Sequence, residues 1–115
     1  MNSKNMVKVA VAALDDKKAN DIRIIDIKDI SSMGDYLVVA DGTNRNQVQA
    51  MCDNVEEFMH KEGFNLKNRE GYANGGWILL DYYDIIVHIF AEEERSFYDL
   101  EHIWRDGIIK SVGEL

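Results

Sequence analysis

Two aspartates and a histidine in the segment 77–90 are of the residue types that bind divalent metal ions. Asp81 and Asp84 precede His88, and carboxylate and imidazole groups are accepted ligands of such ions. On a β-strand, however, His88 would lie about 13 Å from Asp84, at roughly 3.3 Å per residue. One ion cannot bridge that distance. Since apolar residues flank His88, the sequence favours a hydrogen-bonded histidine of the core over a metal ligand.

A turn before the second predicted helix raises the alternative of a nucleotide-handling enzyme. Nucleotidyl transferases place a Gly-Ser turn at a helix start, and Asp41-Gly42-Thr43 stands in a comparable position. A helix N-terminus is also a suitable site for phosphate. The same chemistry needs two carboxylates at positions i and i+2 of a strand to hold metal ions, and no Asp-x-Asp follows near a strand. The turn is therefore better explained as a helix cap.

Nucleophilic side chains lack the surroundings that catalysis requires. Ser31, Ser32 and Ser96 have neither a glycine-framed elbow nor a neighbouring base, and the chain has no Walker-type loop and no zinc-spaced Cys/His set. The single cysteine, Cys52, falls on the apolar side of a predicted helix, where a thiol behaves as a small hydrophobe. The sequence therefore predicts no catalytic residue, cofactor or metal, and a reduced, cytoplasmic setting.

These residues belong to a predicted β-hairpin over Trp77–Phe90. Two runs of β-branched, aromatic and leucine residues flank the polar centre, and Tyr82-Tyr83 would be the two-residue connection. The usual Asn-Gly or Asp-Gly is missing, although such turns need residues with positive φ. Both runs are apolar on both faces, which predicts central strands covered by helices.

The remaining elements are predicted from apolar periodicity and from capping and turn residues. In chain order they are a helix capped by Ser3, a strand over 21–27, a central strand over 36–40, a helix capped by Thr43 and ended by Gly63, an edge strand over 64–69, the hairpin, and a last helix opening at Ser96. This order predicts one domain over residues 1–115 of the α/β (α+β) class, with helices packed on a mixed sheet of about five strands.

Negative charge is concentrated in one part of the chain. The net charge is −8, which argues against binding bare nucleic acid. Residues 81–101 hold seven acids and one base, a local charge of −6, whereas the other residues carry −2. One explanation is a solvated face. The other is a surface steered toward a basic protein partner. No apolar run approaches the roughly 20 residues needed to cross a bilayer.

Five groups of residues, each present once, are spread over nearly the whole chain in a characteristic order and spacing. They are Asp29-x-Ser31-Ser32-x-x-Asp35-Tyr36, Gly42-Thr43 with Gln47, Glu70-Gly71, Trp77-x-Leu79-x-Asp81-x-x-Asp84-x-x-Val87-His88-x-Phe90, and Arg95-x-Phe97-Tyr98-x-Leu100-Glu101-x-x-Trp104. Together they resemble the ribosomal silencing factor family, the iojap-like proteins. One departure is Tyr83, where the family usually has a glycine between its two aspartates.

The resemblance implies a nucleotidyltransferase-like mixed sheet without that activity, often as a homodimer. It also implies a partner, protein L fourteen of the large ribosomal subunit, on the face that meets the small subunit. A factor bound there would block subunit joining and lower translation when nutrients are scarce. The charge agrees with this partner, because an acidic protein is repelled by ribosomal RNA and attracted by a basic ribosomal protein.

The contact surface expected on this basis combines apolar anchors with acidic side chains. Its predicted residues are Trp77, Leu79, Asp81, Asp84, Tyr98, Glu94 and Glu101. Trp77 and Leu79 would project from one strand face with Asp81, while Glu94 and Glu101 would add charge at the rim. Two alternatives stay open here: Trp77 is equally compatible with core packing, and Tyr98 with a helix residue whose hydroxyl is solvated.

Overall fold

The computed structural model describes residues 3–28, 34–91 and 108–110. Its elements are α1 (Ser3–Asp16), β1 (Asn20–Asp26), β2 (Tyr36–Gly42), α2 (Arg45–Lys61), β3 (Asn68–Glu70), β4 (Trp77–Asp81), β5 (Ile85–Ala91) and β6 (Ile108–Lys110). The predicted succession of elements is confirmed as far as β5, and β6 was not predicted. The last predicted helix, opening at Ser96, lies outside the described residues. Within the described ranges, no helix is long and apolar enough to span a membrane.

The six strands form one mixed sheet in the order β3-β4-β5-β2-β1-β6. β2 and β5 are parallel neighbours, and the other neighbouring strands pair antiparallel. Every residue of β2 and β5 is buried, which confirms that they are central strands. The first hairpin run, β4, was predicted to be covered on both faces, but its residues alternate between half-buried and buried. The predicted α+β class is also confirmed. The sheet has six strands rather than about five because the short β6 pairs with β1.

Both helices pack against one face of the sheet, where the larger hydrophobic core lies. The helices contribute to this core the apolar stripes Met6, Val7, Ala10, Leu14 and Val48, Met51, Val55, Met59. Side chains on the opposite face of the sheet form a second, smaller cluster, because successive side chains of a strand point to opposite faces. This second cluster contains Ile25, Ile27, Leu37, Val39, Ile86 and Phe90.

The helix α2 begins one residue later than predicted. Its N-cap is Asn44, not Thr43, and the Asn44 side chain accepts a hydrogen bond from the Gln47 backbone N–H at 2.9 Å. The Gln47 side chain in turn accepts from the Thr43 backbone N–H. Asn44 is the better cap because Gln47 follows it by three residues, which is the spacing of a capping box.

The end of α2 is as predicted, but the strand after it is shorter. Gly63 has φ +82°, and the Phe64 N–H donates to the Met59 carbonyl at 2.9 Å, as in a Schellman motif. The predicted edge strand over 64–69 is only Asn68–Glu70, because Phe64 is used by this helix stop. Its place at the sheet edge is confirmed. Cys52 is buried on α2, as expected, and burial raises the pKa of its thiol.

Candidate protein-docking surface

Three of the predicted contact residues lie side by side on β4. Trp77, Leu79 and Asp81 are half-buried and alternate with the buried residues Ile78 and Leu80. The buried pair belongs to the core under the helices, so the other three side chains face away from α1 and α2. We call Trp77, Leu79 and Asp81 the sheet-face patch. The prediction that they share one strand face is confirmed.

The strand β5 supports this patch from the side. Trp77 pairs with Phe90, Leu79 with His88 and Asp81 with Ile86. The Trp77 and Phe90 rings stack, with centroids 5.2 Å apart and planes inclined by 23°. These cross-strand contacts fix the orientation of the indole, because opposed side chains on one face of a sheet pack directly against each other.

His88 is the buried polar centre beneath the patch. Its side chain is 6% exposed, and its Nδ1 accepts a hydrogen bond from the Trp77 indole N–H at 2.9 Å. Burial lowers the pKa of His88 to about 4, so the ring is neutral at pH 7 and can accept this bond. The prediction of a hydrogen-bonded core histidine is confirmed.

Trp77 and Leu79 combine packing with exposure. Both pack against the second cluster while part of each side chain stays exposed. Together with Glu70 and Gly71 they line a shallow cavity of ≈ 220 Å³. Gly71 has φ +83°, and a Cβ there would overlap the Trp77 carbonyl oxygen. The glycine therefore lets the loop after β3 approach β4 closely, and the cavity depends on that approach.

The connection between β4 and β5 differs from the predicted Tyr82-Tyr83 turn. The strands end at Asp81 and resume at Ile85, and Tyr82, expected in the connection, is buried. The Tyr82 N–H donates to the Ile85 carbonyl at 2.9 Å, which continues the ladder. The expected positive φ falls on Tyr83, at +72°. The Asp81 carboxylate accepts from the Tyr83 N–H at 2.9 Å and holds this turn.

Asp84 lies at the end of the hairpin, directly before β5. Its backbone carbonyl accepts a hydrogen bond from the Asp35 N–H at 2.7 Å, which ties the turn to the start of β2. The Asp84 side chain is half-buried, and within the described residues its carboxylate has no hydrogen bond or ion pair. Other carboxylates do have cationic partners: Asp26 pairs with Lys28, and Glu56 pairs with Arg69.

The other three predicted contact residues, Tyr98, Glu94 and Glu101, lie outside the described residues. So do Ser31 and Ser32, which were considered as nucleophiles. Asp35 of the same motif is described, and its backbone bonds both Ile27 and Asp84.

The turn considered for phosphate binding is occupied by the chain itself. Gly42 belongs to β2, and a Cβ there would lie 3.1 Å from the Val48 and Met51 side chains. The Gln47 side chain bonds the Thr43 N–H and also donates to the Lys17 and Lys18 carbonyls at 3.1 and 3.3 Å. Across the described part of the chain, no group of three or more His, Cys, Asp or Glu side chains is placed to hold a metal ion.

One feature of the surface was not predicted from the sequence. Phe64, Tyr82 and Tyr83 line a pocket at the end of the hairpin. The sequence feature that could have indicated this pocket is Tyr83, an aromatic residue between two aspartates at a turn position that favours glycine.

Comparison with known proteins identifies relatives along nearly the whole chain. A family model described as "Ribosomal silencing factor during starvation" matches residues 1–114. The chain is 40% identical over 106 residues to "Ribosomal silencing factor RsfS" of Bacillus subtilis, covering 92% of this chain and 90% of that protein. It is 28% identical over 89 residues to "Protein Iojap, chloroplastic" of Arabidopsis thaliana, covering 77% of this chain and 37% of that protein.

Two solved structures share the fold. A crystal structure of a protein from Chromobacterium violaceum superposes with a TM-score of 0.89 at 32% identity, covering 96% of this chain and 92% of that one. A crystal structure of a protein from Bacillus halodurans gives a TM-score of 0.84 at 33% identity, covering 93% and 97%.

Proposed function

This chain belongs to the ribosomal silencing factor family, and from that membership we propose that it represses translation by binding the large ribosomal subunit. The bound chain blocks, by its bulk, association with the small subunit. Its direct partner is the basic ribosomal protein L fourteen, and repression operates when nutrients are limited. This action needs no catalytic step, in keeping with a family whose role is regulatory.

The observation that carries this proposal is the sheet-face patch. Trp77 and Leu79 offer partly exposed apolar surface beside a shallow cavity, and Asp81 stands next to them on the same strand face. Aromatic anchors in small, well-packed concavities supply much of the affinity of protein interfaces. The carboxylate supplies register and discriminates in favour of a basic partner.

Electrostatics support a protein partner over ribosomal RNA. The net charge of −8 disfavours approach to phosphates, because nucleic-acid affinity rests on neutralising them. Asp84 is placed at the hairpin end beyond the patch, and its carboxylate has no cationic partner within the described residues. A lysine or arginine of the partner can therefore pair with it without displacing an ion pair among those residues.

Tyr98, Glu94 and Glu101 remain part of the proposed surface on the family resemblance alone. In the proposal Tyr98 flanks the patch, and the two glutamates add steering charge at its rim. The homodimer that the resemblance implies also remains a prediction, which the sedimentation of the purified chain would test.

Re-association of ribosomal subunits tests the proposed function. Dissociated subunits are mixed in magnesium with and without excess protein and separated on a sucrose gradient. We expect fewer complete ribosomes, with the protein migrating in the large-subunit fraction. The matched control is Asp15→Asn, which removes one exposed charge on α1 and should repress as the wild type does. If complete ribosomes form equally well with excess wild-type protein, the proposal is wrong.

A further inference from the structure

A second concave surface lies at the tip of the β4–β5 hairpin. Its volume is ≈ 320 Å³, and its lining brings together side chains from three parts of the chain. The lining includes three aromatic residues, a methionine and two polar residues: Phe64, Tyr82, Tyr83, Met6, Asn65 and Asp84. We call this surface the hairpin-tip pocket.

The pocket depends on the way in which α2 ends. Gly63 and the Schellman motif turn the chain so that Phe64 follows directly after the helix. Tyr82 follows directly after β4, its N–H bonds the Ile85 carbonyl, and its side chain is buried in the core. Phe64 and Tyr82 thus form a fixed apolar wall, and the turn residues Tyr83 and Asp84 lie beside it.

Tyr83 has a positive φ, a backbone conformation that is unfavourable for a residue with a side chain. Its φ is +72°, and the Asp84 N–H donates to the Tyr82 carbonyl at 2.8 Å across it. These features define a γ-turn of the rarer and more strained kind. Glycine adopts this conformation without a steric penalty. Strained residues of this kind concentrate at functional sites, so the strain is a reason to look for a function of the ring.

The Tyr83 ring contributes little to the core that could offset this strain. The side chain is 57% exposed and is the only large hydrophobic residue of that class in the described part of the chain. The Lys67 Nζ lies over the ring, 5.6 Å from its centroid. The ring therefore already attracts one positive charge, and its exposed part can attract another.

The polar side of the pocket is acidic. Asp84 is one of its lining residues, and no hydrogen bond or ion pair occupies the Asp84 carboxylate in the described ranges. An aromatic wall beside a carboxylate suits a lysine or arginine side chain, since the rings cover its alkyl stem and attract its charge. A neutral apolar ligand would leave the carboxylate without a partner, and an anion would be repelled.

We propose that the hairpin-tip pocket binds a lysine or arginine side chain of the basic ribosomal partner, with Tyr83 covering the side chain and Asp84 pairing with its charge. This inference rests on the proposed function and adds a second contact to the sheet-face patch. Asp81 joins the two surfaces, because its side chain belongs to the patch and its carboxylate holds the Tyr83 N–H.

Affinity for cognate large ribosomal subunits, measured beside thermal unfolding, tests the pocket. Tyr83→Gly removes both ring and strain, so it should raise the midpoint of unfolding while weakening binding about tenfold. Tyr83→Phe keeps the ring and should bind within about twofold of the wild type. Asp84→Asn should weaken binding at low salt, with a smaller effect at high salt. If Tyr83 has no role in binding, Tyr83→Gly will raise the midpoint of unfolding and leave the affinity for large subunits unchanged.

Two further variants separate the pocket from the proposed function. Asp15→Asn removes an exposed charge on α1 and should bind as the wild type does. Trp77→Ala, measured at a temperature where the variant is folded, alters the sheet-face patch and none of the residues that line the hairpin-tip pocket. If Trp77→Ala weakens binding while Tyr83→Gly and Asp84→Asn bind normally, the pocket proposal is wrong and the proposed function stands. If the wild-type chain does not bind large subunits, both are wrong.

Discussion

The indole N–H of Trp77 donates a hydrogen bond to the Nδ1 of His88 at 2.9 Å, from β4 to β5. The bond joins a half-buried residue of the proposed docking surface to a buried histidine. It fixes the tautomer of the imidazole, because the nitrogen that accepts cannot carry the proton. The orientation of the proposed anchor is therefore set before any partner binds, which reduces the ordering cost of association.

Substitution of Trp77 should affect stability and binding together. Trp77→Ala removes ring packing and leaves the buried His88 Nδ1 without its donor, so we expect about 2–3 kcal/mol less unfolding free energy. A smaller loss, about 1–2 kcal/mol, is expected for Trp77→Phe, which keeps an aromatic ring opposite Phe90. Chemical denaturation measures both.

The same variants separate anchoring from core packing. As an anchor, Trp77 should contribute about 2 kcal/mol or more to binding of the large subunit, measured on Trp77→Ala at a temperature where that variant is folded. A Trp77→Ala protein that melts early but binds with wild-type affinity would show that the residue serves the core alone.

Acid should destabilise the fold through His88. Burial lowers its pKa from 6.5 to about 4, so between these values the unfolded chain binds a proton that the folded chain does not. The stability is therefore complete above pH 6.5 and falls as the pH drops toward 4, by up to about 3 kcal/mol. Urea unfolding at pH 7.0 and pH 4.5 measures the change.

Two histidine variants isolate this effect from the titration of carboxylates. His88→Gln should flatten the dependence on pH over that window, although it lowers stability at pH 7. His60→Gln is the matched control, because His60 is exposed on α2, and it should keep the wild-type dependence. Identical slopes for the wild type and His88→Gln would contradict the assignment.

The loop beside the patch should be intolerant of any side chain at Gly71. Gly71 and Gly63 have nearly equal φ values, +83° and +82°, but only at Gly71 would a Cβ overlap a backbone atom, the Trp77 carbonyl oxygen. We expect Gly63→Ala to cost about 1 kcal/mol of unfolding free energy and Gly71→Ala to cost clearly more, about 3 kcal/mol. Equal losses for the two variants would mean that the close approach to β4 is unimportant.

The start of α2 offers a further test. Asn44→Ala should lower the unfolding free energy by about 1 kcal/mol, because the Gln47 N–H loses its acceptor. Thr43→Ala should change it by only a few tenths, since Thr43 contributes its backbone N–H to the cap. Thermal unfolding of the two variants measures the difference. A larger loss of stability in Thr43→Ala than in Asn44→Ala would show that Thr43 is the cap.

Local patterns in the sequence predict most of the elements. The unbroken apolar run at 36–40 predicts a central strand, and β2 is buried throughout. The apolar stripe and Gly63 predict α2 and its end. The alternation in β4 places Trp77, Leu79 and Asp81 on one face. Each of these predictions needs only the residues within one element.

The features that the sequence did not predict depend on contacts between distant residues or on a choice between equivalent neighbours. Thr43 and Asn44 are both acceptable caps, and the side chain of Gln47 decides between them. Tyr82 looks like a turn residue, but its side chain belongs to the core cluster that also contains residues of α1 and α2. The hairpin-tip pocket requires α1, the end of α2 and the hairpin to meet, which no local pattern encodes.

Calorimetric titration of the wild-type chain with purified ribosomal protein L fourteen tests the proposed docking surface most directly. We expect saturable binding that weakens at least tenfold in Trp77→Ala, at a temperature where the variant is folded, and weakens further with added salt. No binding of the wild type, or equal affinity of the wild type and the variant, would contradict a docking surface built on Trp77, Leu79 and Asp81.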